Sequence, residues 1–226
     1  MLHVTQRGVD RRTVFIDDED RRRLLALIVT ACRDARMRCL DYCLMGNHFH
    51  LAALALDEPF GDVMRDVLAA YVRVFNERHG REGHLFERRY GAKPVRTERH
   101  LFALVRYLAY NPVGAGLCTS PSAWTWSGYR ELSGITRASV TAADDTLRYL
   151  GESVEAGRRA YRALIADATE QHVALACITC AQEPESRRAA ILAAHEAGCS
   201  AEELATAASW HPKSIQRLLR ERNKSL

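Results

Sequence analysis

Met45-Gly46-Asn47-His48-Phe49-His50-Leu51 stands between two apolar runs, Cys39-Leu40-Asp41-Tyr42-Cys43-Leu44 before it and Leu51-Ala52-Ala53-Leu54-Ala55-Leu56 after it. Apolar runs joined near a Gly-Asn pair read as a β-hairpin, because such residues accept the backbone angles of a tight turn. Side chains alternate faces along a strand. His48 and His50, at the start of the second strand, therefore project from one face, and Phe49 points the other way into the core. Two neutral imidazoles side by side on a rigid strand are half of a divalent-metal site. An isolated His-x-His is more often an ordinary surface or hydrogen-bonded pair, so the rest of the chain has to decide.

Working outward toward the N-terminus, Asp17-Asp18-Glu19-Asp20 supplies a cap and an acidic first turn. Leu24, Leu25, Leu27, Ile28 and Cys32 then recur at helical spacing, which predicts a helix from about Asp18 to Arg36. His3 to Arg7 reads as a short strand closed by Gly8. Toward the C-terminus, Pro59 opens a second helix whose stripe of Val63, Val67, Leu68, Tyr71, Val72 and Phe75 runs to a stop at Gly80. The run Phe86 to Arg96 holds another strand, and a third helix is predicted from Thr97 to Tyr110, ended by Asn111-Pro112. The order β-α-β-β-α-β-α predicts an α+β fold, a ferredoxin-like antiparallel sheet with helices on one face, followed by an all-helical C-terminal extension.

Three segments are expected: residues 1–137 as the sheet domain, 138–170 as a helical connector and 171–226 as a helical, helix-turn-helix-like domain. Trp124, Trp126 and Tyr129 form an aromatic-rich stretch that closes over the edge of the first domain, and Thr141 to Ala168 reads as helical. In the last segment Gly198 suits a helix end, Ser200-x-x-Glu203 is a capping box, and Pro212 can open a final helix. That helix carries Ile215, Leu218 and Leu219 on one side and Lys213, Arg217 and Arg220 on the other. A short turn followed by a basic helix is the pattern by which helix-turn-helix proteins hold duplex DNA.

Of 226 residues, 47% are hydrophobic and 27% charged, as in ordinary globular chains. No apolar run reaches the roughly 18 residues a membrane span needs, and the first residues lack a signal-peptide layout, so a cytoplasmic location is expected. Seven cysteines without regular spacing suit reduced thiols better than a disulfide framework; Cys177-x-x-Cys180 is read as a buried helical pair. The formal charge is +4, and 29 of the 32 basic residues are arginine, whose planar fork matches phosphate. Between Arg65 and Arg106, ten basic residues face five acidic ones. A polyanion partner or a solvated surface satisfies the charge equally well.

The third helix supplies what the histidines lack. Arg106-Tyr107-Leu108-Ala109-Tyr110-Asn111-Pro112-Val113, followed by Ala115-Gly116-Leu117, resembles the tyrosine-bearing helix of single-tyrosine HUH transposases. The likeness is greatest to the REP-associated tyrosine transposases, which act on palindromic repeats in bacterial chromosomes. His3-Val4-Thr5-Gln6-Arg7-Gly8, Met45 to Leu51 and Trp124-x-Trp126-Ser127-x-Tyr129 agree with that family in order and spacing, so the resemblance covers residue 1 to about residue 135. It implies a ferredoxin-like fold in which paired histidines hold a divalent metal, Mg²⁺ or Mn²⁺, beside a nucleophilic tyrosine. Residue by residue, His48 and His50 match the metal pair, Asn111 a third ligand and Tyr107 the nucleophile. Residues four apart share a helix face, so Tyr107 and Asn111 can address one phosphate. Tyr110 is the nearest competitor for the nucleophile.

The activity so implied is transesterification on single-stranded hairpin DNA through a 5′-phosphotyrosine, by a monomer or a homodimer that shares its sites. Arg7, Arg11, Arg12, Arg88 and Arg89 flank the expected sheet edge and loops and are candidates for the DNA backbone. Trp124 and Trp126 are expected to pack rather than to stack on bases. Two rival readings are a catalytically silent DNA-binding regulator and a metal-dependent phosphodiesterase using a carboxylate. One departure stands out: the family usually carries more residues ahead of the first strand than Met1-Leu2, which leaves either a late start or a strand with a bare edge.

Overall fold

The computed structural model describes residues 1–56 and 59–223; the last three residues of the expected C-terminal segment lie outside them. The first seven strands and α-helices are β1 (Leu2–Arg7), α1 (Asp18–Arg33), β2 (Met37–Leu44), β3 (His48–Ala55), α2 (Phe60–His79), β4 (Gly91–Pro94) and α3 (Glu98–Gly114). The strands form one sheet in the order β2-β3-β1-β4, every neighbouring pair antiparallel. This is the expected α+β, ferredoxin-like arrangement. β1 is paired on both sides, so its edge is not bare.

The hairpin forms where its apolar runs place it. Met45 N–H donates to the His48 carbonyl at 2.9 Å, and the Gly46 carbonyl accepts from the backbone of Val14 and Phe15 at 3.0 and 3.2 Å. The turn is thus held by the segment that follows β1. That segment passes so close at Gly8 that a Cβ there would collide with the Arg12 carbonyl and the Val14 side chain. Both caps read from the sequence are present: Asp17 and Asp20 form a reciprocal capping box on α1, and Gly80, at φ 57°, ends α2.

Alternation along the strands sorts the two faces. Val4, Phe49, Leu51 and Ala53 pack with Leu24 and Ile28 of α1 and with Val63, Met64, Val67, Tyr71 and Phe75 of α2. On the opposite face Leu40, Cys43 and Ala52 meet Leu104 and Leu108 of α3. The expectation of helices on one face therefore holds for α1 and α2, while α3 takes the other. Its Leu104 and Leu108 cover the sheet, and Leu101, Val105 and Ala109, a third of a turn round, pack with Leu147, Tyr161 and Ile165. A helix with two apolar stripes needs two partners, and the second comes from beyond the sheet domain.

One boundary differs from expectation. α3 does not stop at Asn111-Pro112 but continues to Gly114. Pro112 lacks the N–H that would meet the Leu108 carbonyl, yet losing one bond in the last turn is compatible with helix. The end is set instead by Gly116, at φ 69°, with Leu117 N–H donating to the Pro112 carbonyl at 2.9 Å. The stretch Thr141 to Ala168 is helical as expected, in two pieces, α5 (Ala143–Arg148) and α6 (Val154–Ala166). Ser153 caps α6, and Gly151 lies against the backbone of Gly157 where any Cβ would overlap.

The Trp124 to Gly128 stretch, just before the short α4 (Tyr129–Leu132), covers the open edge of β2 as expected: Leu44 N–H donates to the Trp126 carbonyl and Gly128 N–H to the Tyr42 carbonyl. Both tryptophans pack, Trp124 also donating from its indole to the Leu44 carbonyl at 3.1 Å. Beyond them come α7 (Glu170–Cys180), α8 (Pro184–Glu196), α9 (Ala201–Ala208) and α10 (Pro212–Asn223). These share a core of Ile178, Ile191, Ala194, Leu204, Ile215 and Leu218, and α7 also packs along α3. The Ser200–Glu203 capping box is present. Among the described residues no helix is long and apolar enough to cross a membrane.

Candidate active site

Placing α3 on the histidine-bearing face brings its polar residues over the start of β3. The Tyr107 hydroxyl lies 3.1 Å from His50 Nε2, with the two rings edge to face at 4.9 Å between centroids. His48 stands beside His50, ring centroids 5.0 Å apart, and its Nδ1 lies 2.6 Å from Asn47 Oδ1. An amide oxygen can only accept, so His48 Nδ1 carries the proton and its Nε2 keeps a lone pair. Asn111, one turn after Tyr107, lines the same cleft, where its side chain favours the ionised Tyr107 phenol. Tyr110 also borders the cleft, but its hydroxyl donates to the Ile165 carbonyl at 2.9 Å, which ties it to α6.

Burial dominates the electrostatics. Desolvation pushes His48 down to about 4, helped by the nearby Arg7 cation. His50 is driven well below its usual value, first by burial and then by His48, His3 and Arg7. Both are neutral near pH 7, which is the protonation state a metal ligand needs. The Tyr107 phenol is pushed up by desolvation foremost, with the Asn111 side chain opposing, so the resting hydroxyl keeps its proton.

These residues fit a divalent cation. The lone pair of His48 Nε2, that of His50 on the side facing Tyr107 and the Asn111 amide oxygen would hold it, a mixed nitrogen and oxygen set. Among the described residues no group of three His, Cys, Asp or Glu side chains could do so. The third donor has to be an amide, water or phosphate.

The cleft, about 400 Å³, is bordered by Thr5, Gln6 and Arg7 of β1, by Arg88, Arg89 and Gly91, and by the α3 face just described. Arg7, Arg88 and Arg89 of the expected DNA-binding set are thus brought together. Arg11 and Arg12 are not: they sit exposed in the turn after β1, where the Arg11 carbonyl accepts from Asn47 Nδ2. Lys213, Arg217 and Arg220 are exposed on α10, apart from the cleft.

Two features of the site escape the sequence reading. One is His3, wholly buried, whose Nε2 lies 3.1 Å from His50 Nδ1. Alternation offers the signal, since His3, Thr5 and Arg7 must share a face opposite the core residue Val4. The other is the wall opposite the sheet, formed by Val173, Cys177, Cys180, Gln182, Glu183 and Ser186. Gln182 Nε2 donates to the His3 carbonyl at 3.0 Å, and Glu183 pairs with Arg88. Burial raises the Cys177 thiol to about 11 and Cys180 further, so both stay protonated.

A solved structure described as a REP-associated tyrosine transposase bound to a REP hairpin has the same fold, with a TM-score of 0.50 at 18% identity over 64% of this chain and 86% of that one. The sequence finds no match among curated proteins. Residues 1–111 match the family model described as "Transposase IS200 like". The matched residues carry the sheet, both paired histidines and Tyr107, so this part of the chain is similar to the IS200-like transposases.

Proposed function

We propose that this chain is a tyrosine strand transferase that nicks and rejoins single-stranded DNA beside a hairpin, with Tyr107 as the nucleophile. The observation that carries the reading is the 3.1 Å approach of the Tyr107 hydroxyl to His50 Nε2 at the bottom of an arginine-lined cleft. The family and the hairpin-bound structural neighbour support DNA as the substrate.

In the reaction, the Tyr107 oxygen bonds to phosphorus while the bond to the 3′ oxygen breaks. The phenol gives up its proton, the departing 3′ oxygen gains one, and the strand is left as a 5′-phosphotyrosine that keeps the energy of the broken ester for rejoining. Asn111, on the same helix face as Tyr107, helps to orient the nucleophile, and Arg7, Arg88 and Arg89 bind the strand's phosphates. When bound to His48, His50 and Asn111, Mg²⁺ or Mn²⁺ supplies positive charge against the scissile phosphate. The His50 lone pair that meets the hydroxyl is the one a cation would use, so the two are alternative occupants. Arg11 and Arg12 are assigned to the hairpin stem beyond the cleft, and Lys213, Arg217 and Arg220 of α10 to duplex DNA. The division into 1–137, 138–170 and 171–226 is proposed on the same basis, with the last segment lending a wall to the first.

Incubating the protein with Mn²⁺ and a hairpin-bearing single-stranded oligonucleotide tests this directly. The expected result is a protein–DNA adduct on a denaturing gel that carries the 5′-phosphate side and disappears in Tyr107→Phe. A gel shift without any adduct would leave a silent DNA binder, and free cut ends without an adduct would leave a phosphodiesterase.

A further inference from the structure

His3 is a buried imidazole on the cleft face to which the reaction above gives no task. It has no exposed surface, its ring packs edge to face on Tyr107 at 5.9 Å, and Gln182 clamps its backbone carbonyl. Its Nε2 lies 3.1 Å from His50 Nδ1, and its own Nδ1 has no hydrogen-bond partner among the described residues. Two neutral imidazoles make a hydrogen bond at that distance only when one of the facing nitrogens carries a proton and the other does not.

Two arrangements satisfy this. If His3 donates, His50 carries its proton on Nε2, and an N–H rather than a lone pair points at Tyr107. If His50 donates from Nδ1, its Nε2 is bare toward the cleft, where it can accept from the Tyr107 hydroxyl or hold a cation. We propose that His3 is a positioning residue: it accepts the Nδ1 proton of His50 and so locks His50 in the tautomer whose lone pair faces Tyr107. This rests on the metal-assisted reading of the site. Metal-bound histidines generally need such a partner on the far nitrogen, and here the acceptor is another imidazole instead of the usual carboxylate or carbonyl.

The tautomer of His50 can be read in the metal-free protein by long-range proton–nitrogen NMR on histidine-labelled samples. The expected spectrum has His50 protonated at Nδ1 and bare at Nε2; a proton on Nε2 overturns the proposal. His3→Leu, which fills the buried space without an acceptor, should weaken Mn²⁺ binding in calorimetry by about 10- to 100-fold. His3→Gln, which returns an acceptor oxygen, should recover most of it. Unchanged Mn²⁺ affinity in a folded His3→Leu also overturns the proposal. If His3→Leu does not fold, the wild-type tautomer and the His3→Gln affinity still decide. Should wild-type protein bind no Mn²⁺ at all, the metal reading fails by itself, and the His50 tautomer alone then decides whether His3 sets it.

Discussion

The two faces of the central sheet are cut from the same strands, and they follow opposite rules. On one, Phe49 and Leu51 lie in hydrocarbon supplied by α1 and α2, where contact depends on shape more than on direction. On the other, one residue away along the backbone, His50 is as closed to water as many core residues and His48 is half-buried beside it, yet their contacts are directional. Burial on the first face is the source of stability. On the second it holds imidazoles neutral and a phenol protonated, at a cost the first face must offset.

The largest expected effect breaks the second face alone. Tyr107→Phe should lower adduct formation by about 10³-fold or more while leaving oligonucleotide binding and the unfolding midpoint near those of the wild type. A comparable loss from a Tyr110 variant, with Tyr107→Phe still active, would reassign the nucleophile.

Next in size is a contrast between neighbours. Phe49→Ala should remove about 3–5 kcal/mol of stability in urea unfolding, through lost burial and the cavity left behind. His50→Ala should cost clearly less stability and abolish the adduct. Equal destabilisation by the two would show that the histidine face is simply more core.

Acidity separates the faces further. In the unfolded chain histidines take up protons near 6.5, whereas in the fold His48 waits until about 4 and His3 until about 3. The unfolded chain therefore binds more protons throughout that window, and stability should fall as pH is lowered from 6.5 toward 3. Asp41, buried beneath Gly128 with one oxygen unpaired among the described residues, runs the other way. Burial lifts its carboxyl from 3.8 to about 8, so the folded chain binds the extra proton and stability should fall as pH rises between those values. Asp41→Asn should remove that alkaline slope in unfolding curves taken from pH 5 to 9. An unchanged slope would place its origin elsewhere.

The smallest effect sharpens the boundary between cleft and surface. Arg88 and Glu183 are both well exposed, so Glu183→Gln should leave stability nearly unchanged. Releasing Arg88 should nevertheless tighten single-stranded DNA binding in a low-salt titration; weaker binding would mean that Glu183 does not compete with phosphate.

Sequence periodicity carries the strands, α1, α2 and the pairing of His48 with His50, because a two-residue repeat beside a turn leaves little freedom. The side of the sheet that α3 takes is not legible: an apolar stripe says that a helix packs, not on which face. Its end also escapes, because the rule about proline concerns helix interiors, and Pro112 stands in a final turn closed by Gly116. The cleft wall stays hidden for a related reason. α7 is apolar nearly all round, with Val173, Leu175, Ala176 and Ile178 pointing in different directions, which is what a helix wedged between α3 and the C-terminal core requires.

The hydrogen bond from Gln182 to the His3 carbonyl joins residues 179 positions apart. Contacts of such long range form late, since a large loop must close before they contribute anything. A ribosome making this chain would thus have to release it as far as Gln182 before the pocket could acquire its far side. Until then the partial product would carry the histidines and the tyrosine without the enclosure that tunes them.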